Sequence, residues 1–230
     1  MISIIIPTFN EEKNIEKLIP YLQGCCLNKA VEIVVADCGS TDNTRELAAT
    51  FGTNVIISSC KSRAVQMNIG AKAAKYKILY FVHADTLPPA TFYNDIIKAV
   101  DDRFDIGRYR TKFNGSNPLL RLNEYFTRFD LFFCYGGDQT LFICKSLFDA
   151  LNGFNDLMLI MEEYDLVKRA RQHACYKIFD TAALVSSRKY EDNSWLKVQR
   201  ANYKIMQQYK KGVPQVELVK NYKQLLKNLK

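Results

Sequence analysis

Short apolar runs alternate with amphipathic stretches through the first hundred residues of the chain. Residues 2–6, 31–36, 55–57 and 78–82 are mostly β-branched or other apolar residues, as expected of strands covered on both faces. The stretches between them place apolar residues three and four positions apart, for example within residues 15–22, which predicts amphipathic helices. Strands that alternate with helices indicate an α/β fold built on a mostly parallel sheet.

The pattern is less regular in the second half. Residues 106–113 alternate as a strand does, and Arg108, Arg110 and Lys112 share one face, which is therefore polar or points into a charged site. Residues 117–129 place Leu and Phe side chains on one helical stripe, which predicts another packed helix.

Length and charge favour one domain with a basic end. A chain of 230 residues that is 48% hydrophobic can bury a full core, and no Gly/Ser/Pro-rich linker divides it. Residues 188–230 contain 11 Lys and Arg against 3 Asp and Glu, whereas residues 1–187 contain 21 of each. We therefore predict a neutral domain over 1–187 and a basic helical extension over 188–230.

Other features favour a cytoplasmic protein. Seven cysteines, an odd number without CxxC spacing, mostly lie in apolar or strand-like contexts and indicate reduced core thiols. The apolar run at residues 2–6 is too short for a secretory signal. No apolar stretch approaches the ~20 residues that cross a bilayer.

Polar residues follow the predicted strands, at the edge where ligands bind in open α/β sheets. Asp85 stands just beyond the fourth strand, and Pro88 and Pro89 then prevent a further strand. Asp85 is therefore a candidate site residue, or else an Asp that turns the chain ahead of the next helix. Asn10 follows the first strand and can cap the helix after it.

A cluster of acidic residues opens a later helix. Glu162, Glu163 and Asp165 precede Lys168 and Arg169, an order that suits the helix dipole. The acids therefore either stabilise the helix start or contribute to a site. The phosphate-gripping patterns GxGxxG after the first strand and GxxxxGK[ST] do not occur in the sequence.

Seven motifs together resemble a known family. Four of them resemble, in their order and spacing, the family 2 glycosyltransferases of the A-type nucleotide-sugar (GT-A) fold: IIIPTFNEEKNI, ADCGSTDNT, FVHADT and IMEEYDL. The other three narrow the resemblance to a bacterial branch of small soluble members: KSRAVQMNIGAKAA, YGGDQTLF and VSSRKYE. The resemblance covers about residues 1–210. It implies a Rossmann-like domain with a nucleotide-binding half at about 1–100 and an acceptor half at about 101–187.

The resemblance also implies roles for individual residues. The nucleoside and diphosphate of the donor would contact Thr8, Asn10, Glu11, Asp37, Arg63 and Arg188. Asp37 would accept a hydrogen bond from the base, which favours uracil or guanine, while Arg63 and Arg188 can instead be ordinary surface residues. Asp138 and Gln139 resemble the acceptor side of the site.

The same resemblance implies a metal ion and a general base. Asp85 matches a ligand of Mg²⁺ or Mn²⁺, and one carboxylate plus substrate phosphates can hold such a cation. His83 stands where many relatives have another acid, and it is a ligand, a phosphate donor or a packed histidine. Glu163 matches the base, supported by Glu162 and Asp165, with the choice between Glu163 and Asp165 open. A neighbouring like charge would raise the pKa of Glu163.

These assignments imply an inverting, metal-dependent glycosyltransferase that uses a nucleotide sugar, with a UDP-sugar favoured, and an unknown acceptor hydroxyl. Two alternatives remain: a nucleotidyltransferase, and a degenerate member that binds a nucleotide sugar or an anionic polymer without turnover.

The basic extension allows two arrangements. Apolar residues fall on one helical stripe at Trp195, Val198, Ile205, Met206 and Tyr209, with lysines largely off it. Such a helix can lie on the anionic inner face of the cell membrane, where a lipid-linked acceptor would be found, or pack its stripe on the domain. Sparse aromatic interleaving argues against nucleic-acid binding.

Overall fold

The structure, a computed structural model, describes residues 1–135 and 139–227. Strands and helices alternate as β1 (Ile2–Thr8), α1 (Glu12–Cys25), β2 (Val31–Asp37), α2 (Thr44–Thr50), β3 (Asn54–Ile57), α3 (Arg63–Ala73), β4 (Ile78–Phe81), β5 (Thr86–Leu87) and α4 (Phe92–Asp101). They continue as β6 (Ile106–Phe113), α5 (Leu120–Phe126), β7 (Leu141–Cys144), α6 (Lys145–Ala150), α7 (Glu162–Ala170), β8 (Tyr176–Val185), α8 (Trp195–Lys210) and α9 (Gln215–Leu225).

One mixed sheet carries the fold. Within the described residues it has eight strands in the order β3-β2-β1-β4-β7-β6-β8-β5. β1 pairs in parallel with β2 and β4, β2 with β3, and β6 with β8, whereas β7 runs antiparallel between β4 and β6. The predicted mostly parallel α/β sheet flanked by helices is confirmed. The carboxyl ends of β1, β2 and β4 meet at one edge, which is where a ligand would bind.

The chain after β4 differs from the expectation that prolines prevent a further strand. β4 ends at Phe81, the chain turns, and β5 pairs antiparallel with the end of β8 before Pro88 is reached. The prolines thus limit β5 to two residues rather than removing it. Because the pairing continues into a hydrogen bond from the Ser186 N–H to the Asp85 carbonyl (3.2 Å), the segment after β8 is held beside Asp85.

The basic face of β6 is structural. Arg108 is 1% exposed, and its guanidinium donates to the backbone carbonyls of Thr127 (2.6 Å) and Phe129 (3.2 Å). Arg110 pairs with Asp180. Of the two alternatives, these arginines therefore support the loop after α5 and the edge of β8, not a charged site.

The predicted stripe of residues 117–129 is not fully packed. Leu119, Leu122, Phe126 and Phe129 remain 45%, 46%, 44% and 37% exposed. α5 is shorter than the pattern suggested and rests on the edge of β6, so much of its apolar surface stays in contact with solvent.

The two C-terminal helices contact the domain. Val198, Ala201 and Ile205 of α8 and Leu218 of α9 are buried. Tyr209 stacks on Phe132 with ring centroids 6.4 Å apart. The apolar stripe of α8 is therefore shared: Val198 and Ala201 pack with Tyr222 and Leu226, and Tyr209 contacts Phe132 of the domain. Contact of these helices with a membrane stays a prediction.

Two further expectations concern thiols and membrane spans. The seven cysteines are free thiols, but Cys60 and Cys175 are exposed, so these two are not core residues as predicted. Among the helices of residues 1–135 and 139–227, none is long and apolar enough to cross a membrane.

α3 is fixed against the central strands. The buried Gln66 amide donates to the carbonyls of Thr8 (2.8 Å) and Ala36 (2.6 Å), at the ends of β1 and β2. One turn later Gly70 faces Ile5, and a Cβ at Gly70 would lie 2.5 Å from the Ile5 Cγ2 methyl. A glycine at position 70 therefore permits the close approach that places the start of α3 at the carboxyl edge.

Gly70→Ala should destabilise the protein although alanine favours helix. Overpacking against the stiff, buried Ile5 should cost about 1–3 kcal/mol, which exceeds the roughly 1 kcal/mol that Ala gains over Gly in a helix. Gly24→Ala is the matched control, since a Cβ at this helical glycine meets nothing within 4 Å. Urea denaturation should show a loss for Gly70→Ala and none for Gly24→Ala; equal midpoints for both would contradict the packing argument.

Candidate active site

The loops after β1 and β2 form a continuous rim. Asn10 donates its backbone N–H to the Ser40 hydroxyl (2.8 Å), and its side-chain oxygen accepts from the Thr41 N–H (2.8 Å). The Glu11 N–H donates to the Thr44 hydroxyl (2.9 Å). Asn10 has a left-handed backbone (φ 53°) and does not cap α1, which starts at Glu12. The predicted cap is therefore wrong, because the Asn10 side chain joins the two loops instead.

Asp37 is the centre of this rim and is 0% exposed. Its Oδ1 accepts from the N–H groups of Gly39 (3.0 Å) and Ser40 (2.8 Å), and its Oδ2 accepts from the hydroxyls of Thr8 (2.9 Å) and Ser40. A carboxylate offers about four acceptor positions, and all four are occupied. In this structure the Asp37 carboxylate therefore holds the loop together, and its contact with a nucleotide base stays a prediction.

Arg188 joins two acids across the cleft. Its Nη2 donates to Asp85 Oδ2 at 3.0 Å and lies 3.7 Å from Glu11 Oε1. The Arg188 side chain is 45% exposed, so the group is open to solvent and to a ligand. The structure therefore brings Glu11, Asp85 and Arg188 together as one cluster.

His83, two residues before Asp85, contacts the acidic helix start. Its Nε2 lies 3.2 Å from Glu163 Oε1. Because an ionised carboxylate can only accept, the ring N–H donates in this pair. The other Glu163 oxygen, Oε2, is buried and has no hydrogen-bond partner in the part of the chain that the structure describes. His83 is thus directed at the candidate base rather than at Asp85.

Arg63, the first residue of α3, compensates the neighbouring acid. Its Nε lies 2.9 Å from Oε1 of Glu162, which is completely buried, while the arginine side chain is 38% exposed. Arg63 and Glu163 both line the same cavity. Four predicted residues, Arg63, His83, Glu162 and Glu163, therefore form a second cluster beside the first.

The two glutamates have opposite protonation tendencies. Burial raises the pKa of Glu162 to about 7, against the lowering effect of Arg63, and the charge of Glu163 adds to the rise. Burial also acts to raise the pKa of Glu163, but the hydrogen bond from His83 and the charges of Arg63 and His83 outweigh it and lower the pKa. The raised pKa predicted for Glu163 is therefore wrong, since it belongs to Glu162.

Two predicted residues are not part of these clusters. Asp165 accepts from Arg169 Nε (2.9 Å), and Arg169 also binds the carbonyls of Leu151 and Gly153. Asp165 therefore anchors α7 in this structure, and its predicted role beside the base stays a prediction. Asp138 lies outside the described residues.

A cavity of about 660 Å³ borders Glu163. Gln139 lines it and donates its amide to the Cys134 carbonyl (2.9 Å). Half of the other lining residues come from α5, α8 and the last turns of α9. The sequence analysis did not identify these lining residues as part of a site. The one pattern that could have indicated them was the apolar stripe of residues 117–129.

The chemistry of the first cluster suits a divalent cation. Asp85 and Glu11 direct carboxylate oxygens at the same Arg188 nitrogen, and hard cations prefer such oxygens, completed by phosphates. Within residues 1–135 and 139–227, no three His, Cys, Asp or Glu side chains converge as a ready-made metal site. Asp85 therefore fits a cation that is shared with a substrate, whereas the Nε2 of His83 is already engaged by Glu163.

Comparison with known proteins identifies the family of this chain. The model of the family described as "Glycosyl transferase family 2" matches residues 3–150. A dolichol-phosphate mannosyltransferase of Pyrococcus furiosus is 29% identical over 110 residues, which cover 46% of this chain and 31% of the relative. This chain therefore matches about a third of that relative's length.

Two solved structures share the fold. S. aureus TarS 1-349 in complex with UDP-GlcNAc has a TM-score of 0.66 at 18% identity, covering 81% of this chain and 58% of that chain. The mannosyltransferase PcManGT from Pyrobaculum calidifontis in complex with GDP-Man and Mn²⁺ has a TM-score of 0.67 at 16% identity, covering 89% and 61%. The predicted GT-A fold class is confirmed.

The raised pKa of Glu162 predicts a pH-dependent stability. Between the unfolded value of 4.5 and the folded value of about 7, the folded state keeps a proton that the unfolded state has released, so stability falls as pH rises. Urea denaturation from pH 5 to 8 should show the wild type losing stability relative to Glu162→Gln, by at most about 3 kcal/mol.

Glu163→Gln is the companion variant for this measurement. The Glu163 carboxyl itself has a lowered pKa, so its own titration affects stability only below about 4.5. The charge of Glu163 contributes to the raised pKa of Glu162, so its removal should make the loss of stability between pH 5 and 8 smaller than in wild type. A difference between wild type and Glu162→Gln that stays constant over this range would contradict the assignment of the proton to Glu162.

Proposed function

Because this chain belongs to glycosyl transferase family 2, we propose that it transfers a sugar from a nucleotide-sugar donor to an acceptor hydroxyl, with inversion and with metal assistance. One observation carries the proposal: at the border of a substrate-sized cavity, Glu163 has one oxygen held by His83 and the other without a hydrogen-bond partner among the described residues. A carboxylate held in this way can receive a proton from a hydroxyl in the cavity.

The protonation of the acid pair supports Glu163 as the base. At neutral pH the lowered pKa of Glu163 keeps it ionised, while the pKa of about 7 lets Glu162 hold a proton part of the time. A protonated Glu162 would relieve the repulsion between adjacent buried acids. Glu163 therefore accepts the proton, and Glu162 with Arg63 fixes the start of α7.

The reaction is a single displacement. The acceptor hydroxyl gives its proton to Glu163 Oε2 as its oxygen bonds to the anomeric carbon of the donor. The bond from that carbon to the diphosphate oxygen breaks on the opposite side, so the configuration inverts. The departing diphosphate takes the electron pair, and positive groups at the cleft stabilise its charge.

The proposed donor site lies over the rim and the first cluster. Arg188 and Arg63 would contact the diphosphate, beside the loop that contains Asn10 and Glu11; their pairs with Asp85 and Glu162 at the cleft support this assignment. We place UDP first because TarS was crystallised with UDP-GlcNAc. GDP is the comparison, because the PcManGT complex contains GDP-Man.

Asp85 would hold the divalent cation, with Glu11 beside it. PcManGT was solved with Mn²⁺, and a cation at Asp85 would neutralise the diphosphate as it leaves. Arg188 donates to Asp85 Oδ2 in the present structure, so a cation at Asp85 would compete with Arg188 for this oxygen. A donor that arrives with its cation would leave Arg188 to the phosphates.

The base assignment is tested by turnover of a donor panel. UDP-glucose, UDP-galactose, UDP-N-acetylglucosamine and GDP-mannose should be hydrolysed slowly in the absence of acceptor when Mn²⁺ is present. Glu163→Gln should lower the rate on the preferred donor by ~10²-fold or more, the usual contribution of a positioned base, while calorimetry should show nearly unchanged nucleotide affinity.

Asp165→Asn is the matched control, because it removes an acid from the same helix whose carboxylate binds Arg169. It should lower thermal stability and leave turnover of the folded enzyme near normal. An inactive Asp165→Asn together with a nearly normal Glu163→Gln would move the base to Asp165. No turnover of any donor by wild type would favour a binding protein without catalysis.

The metal assignment is tested by binding alone. UDP should bind more tightly with Mn²⁺ or Mg²⁺ than with EDTA, because a cation held by Asp85 would offset the negative charge of the diphosphate. Asp85→Asn should remove most of this difference, whereas Asp180→Asn, an exposed acid paired with Arg110, should retain it. Calorimetric UDP affinities that are equal with metal and with EDTA would reject the metal site.

A further inference from the structure

The loop that leads into α7 ends in an unfavourable backbone conformation. We name residues 154–161 the entry loop. Its last residue, Met161, directly precedes the acid pair and has a left-handed backbone (φ 67°). A residue with a side chain keeps this conformation only where surrounding contacts enforce it. The contacts of the entry loop therefore decide whether Glu162 and Glu163 stay in the interior.

The first part of the entry loop is held by α3 and the residue before it. The Asn68 side-chain oxygen accepts from the Phe154 N–H (2.9 Å), and its amide donates to the Phe154 carbonyl (2.8 Å). Ser62, which directly precedes α3, donates its hydroxyl to the Met158 carbonyl (3.2 Å). These contacts fix the entry loop from Phe154 to Met158.

The last part of the entry loop is held by Gln215, the first residue of α9. Its Oε1 accepts from the backbone N–H groups of Leu159 (3.0 Å) and Ile160 (3.2 Å). An amide oxygen has two lone pairs, so it can accept both hydrogen bonds. The Gln215 Nε2 lies 3.2 Å from the Met158 sulfur. One side chain thus contacts the three consecutive residues that precede Met161.

Gln215 belongs to a helix that is itself fixed. Leu218, in the next turn of α9, is 0% exposed. The Asn221 side chain donates to Gln208 Oε1 of α8 (3.2 Å), and Tyr222 lines the cavity beside the acid pair. The family match ends at residue 150. The contact with the entry loop therefore comes from a part of the chain that the match does not include.

On the premise of the proposed function, in which Glu163 is the base, we propose that Gln215 is a positioning residue for that base. Its contacts hold the backbone just before Met161 and thereby keep the left-handed turn that places Glu163 at the border of the cavity. Gln215 acts through this backbone, because the cavity lining among the described residues includes Ile160 and Met161 but not Gln215.

Loss of the Gln215 side chain should free the turn without unfolding the protein. Leu159 is 37% exposed and Ile160 is partly exposed, so water can hydrogen-bond their N–H groups when the side chain is removed. Water does not connect the entry loop to α9. Because a displacement of about 1 Å can cost roughly a hundredfold in rate, the effect should appear in turnover.

Three variants test the proposal. Gln215→Ala removes the shared acceptor, whereas Gln215→Glu keeps an acceptor oxygen on a side chain of the same length. Asn221→Ala is the matched control, because it removes a hydrogen bond between α9 and α8 that does not involve the entry loop. Circular dichroism melts establish that each variant is folded at the assay temperature.

Amide hydrogen exchange measures the restraint without any ligand. In Gln215→Ala the amides of Leu159 and Ile160 should exchange faster than in wild type by about fivefold or more, the factor that corresponds to one hydrogen bond of typical net strength. Gln215→Glu and Asn221→Ala should exchange at these amides like wild type. Equal exchange in Gln215→Ala and wild type would overturn the proposal.

Turnover measures the effect on the base. The assay uses Mn²⁺ and the nucleotide sugar of the panel that wild type hydrolyses fastest. Gln215→Ala should lower kcat by about tenfold or more, with KM and UDP affinity near those of wild type, and Gln215→Glu should restore most of the loss. Asn221→Ala should have normal turnover. A rise in KM with unchanged kcat would overturn the positioning role.

A double variant shows whether Gln215 acts through Glu163. Adding Gln215→Ala to Glu163→Gln should lower kcat little further, because both changes remove the contribution of the same carboxylate. A further loss as large as that in the wild-type background would mean that Gln215 acts on turnover by another route, and it would overturn the proposal.

These results separate the two proposals. Normal kcat in Gln215→Ala together with an inactive Glu163→Gln would reject the positioning role and keep the transferase. A wild type that hydrolyses no donor would reject the proposed function and, with it, the base that Gln215 is proposed to position. Faster exchange in Gln215→Ala would then leave Gln215 as a structural contact only.

Discussion

Two adjacent carboxylates are buried at the start of α7, and the rest of the site has to compensate their charge. Glu162 is 0% and Glu163 6% exposed, and isolated buried charges are costly. Their compensation comes from separate parts of the chain: Arg63 at the start of α3, His83 after β4, the amino end of α7 and a proton on Glu162. The pair can therefore exist only when the sheet has assembled these parts, and assembly of the fold and assembly of the site are one event.

The backbone entering α7 supports the same conclusion. Met161 has a left-handed conformation (φ 67°), which is uncommon and unfavourable for a residue with a side chain. This turn brings two consecutive glutamates into the interior, where a simple helix start would leave them in solvent. Met161 also lines the cavity. The turn at Met161 therefore separates the acid pair from part of this cavity.

The sequence predicted the α/β class and most of the residues at the carboxyl edge, because apolar periodicity and strand-end polar residues are local signals. The contacts between site residues could not be predicted in the same way. His83 and Glu163 are 80 positions apart, and no local pattern indicates that one binds the other. Asp37 shows the same limit: its loop motif was visible, but only the folded loops show that four donors occupy its carboxylate. The apolar stripe of α8 was correct as a pattern, yet a periodicity does not specify what covers it.

The position of α3 has a mechanical consequence. Gln66 ties the first turn of this helix to the carbonyls of Thr8 and Ala36 at the ends of β1 and β2, and Arg63, the first residue of the helix, extends to the acid pair. A rigid helix, and not a flexible connection, therefore fixes the separation between the rim and the base. Any adjustment of the cleft to a bound molecule therefore has to come from elements other than α3, such as the partly exposed helix α5.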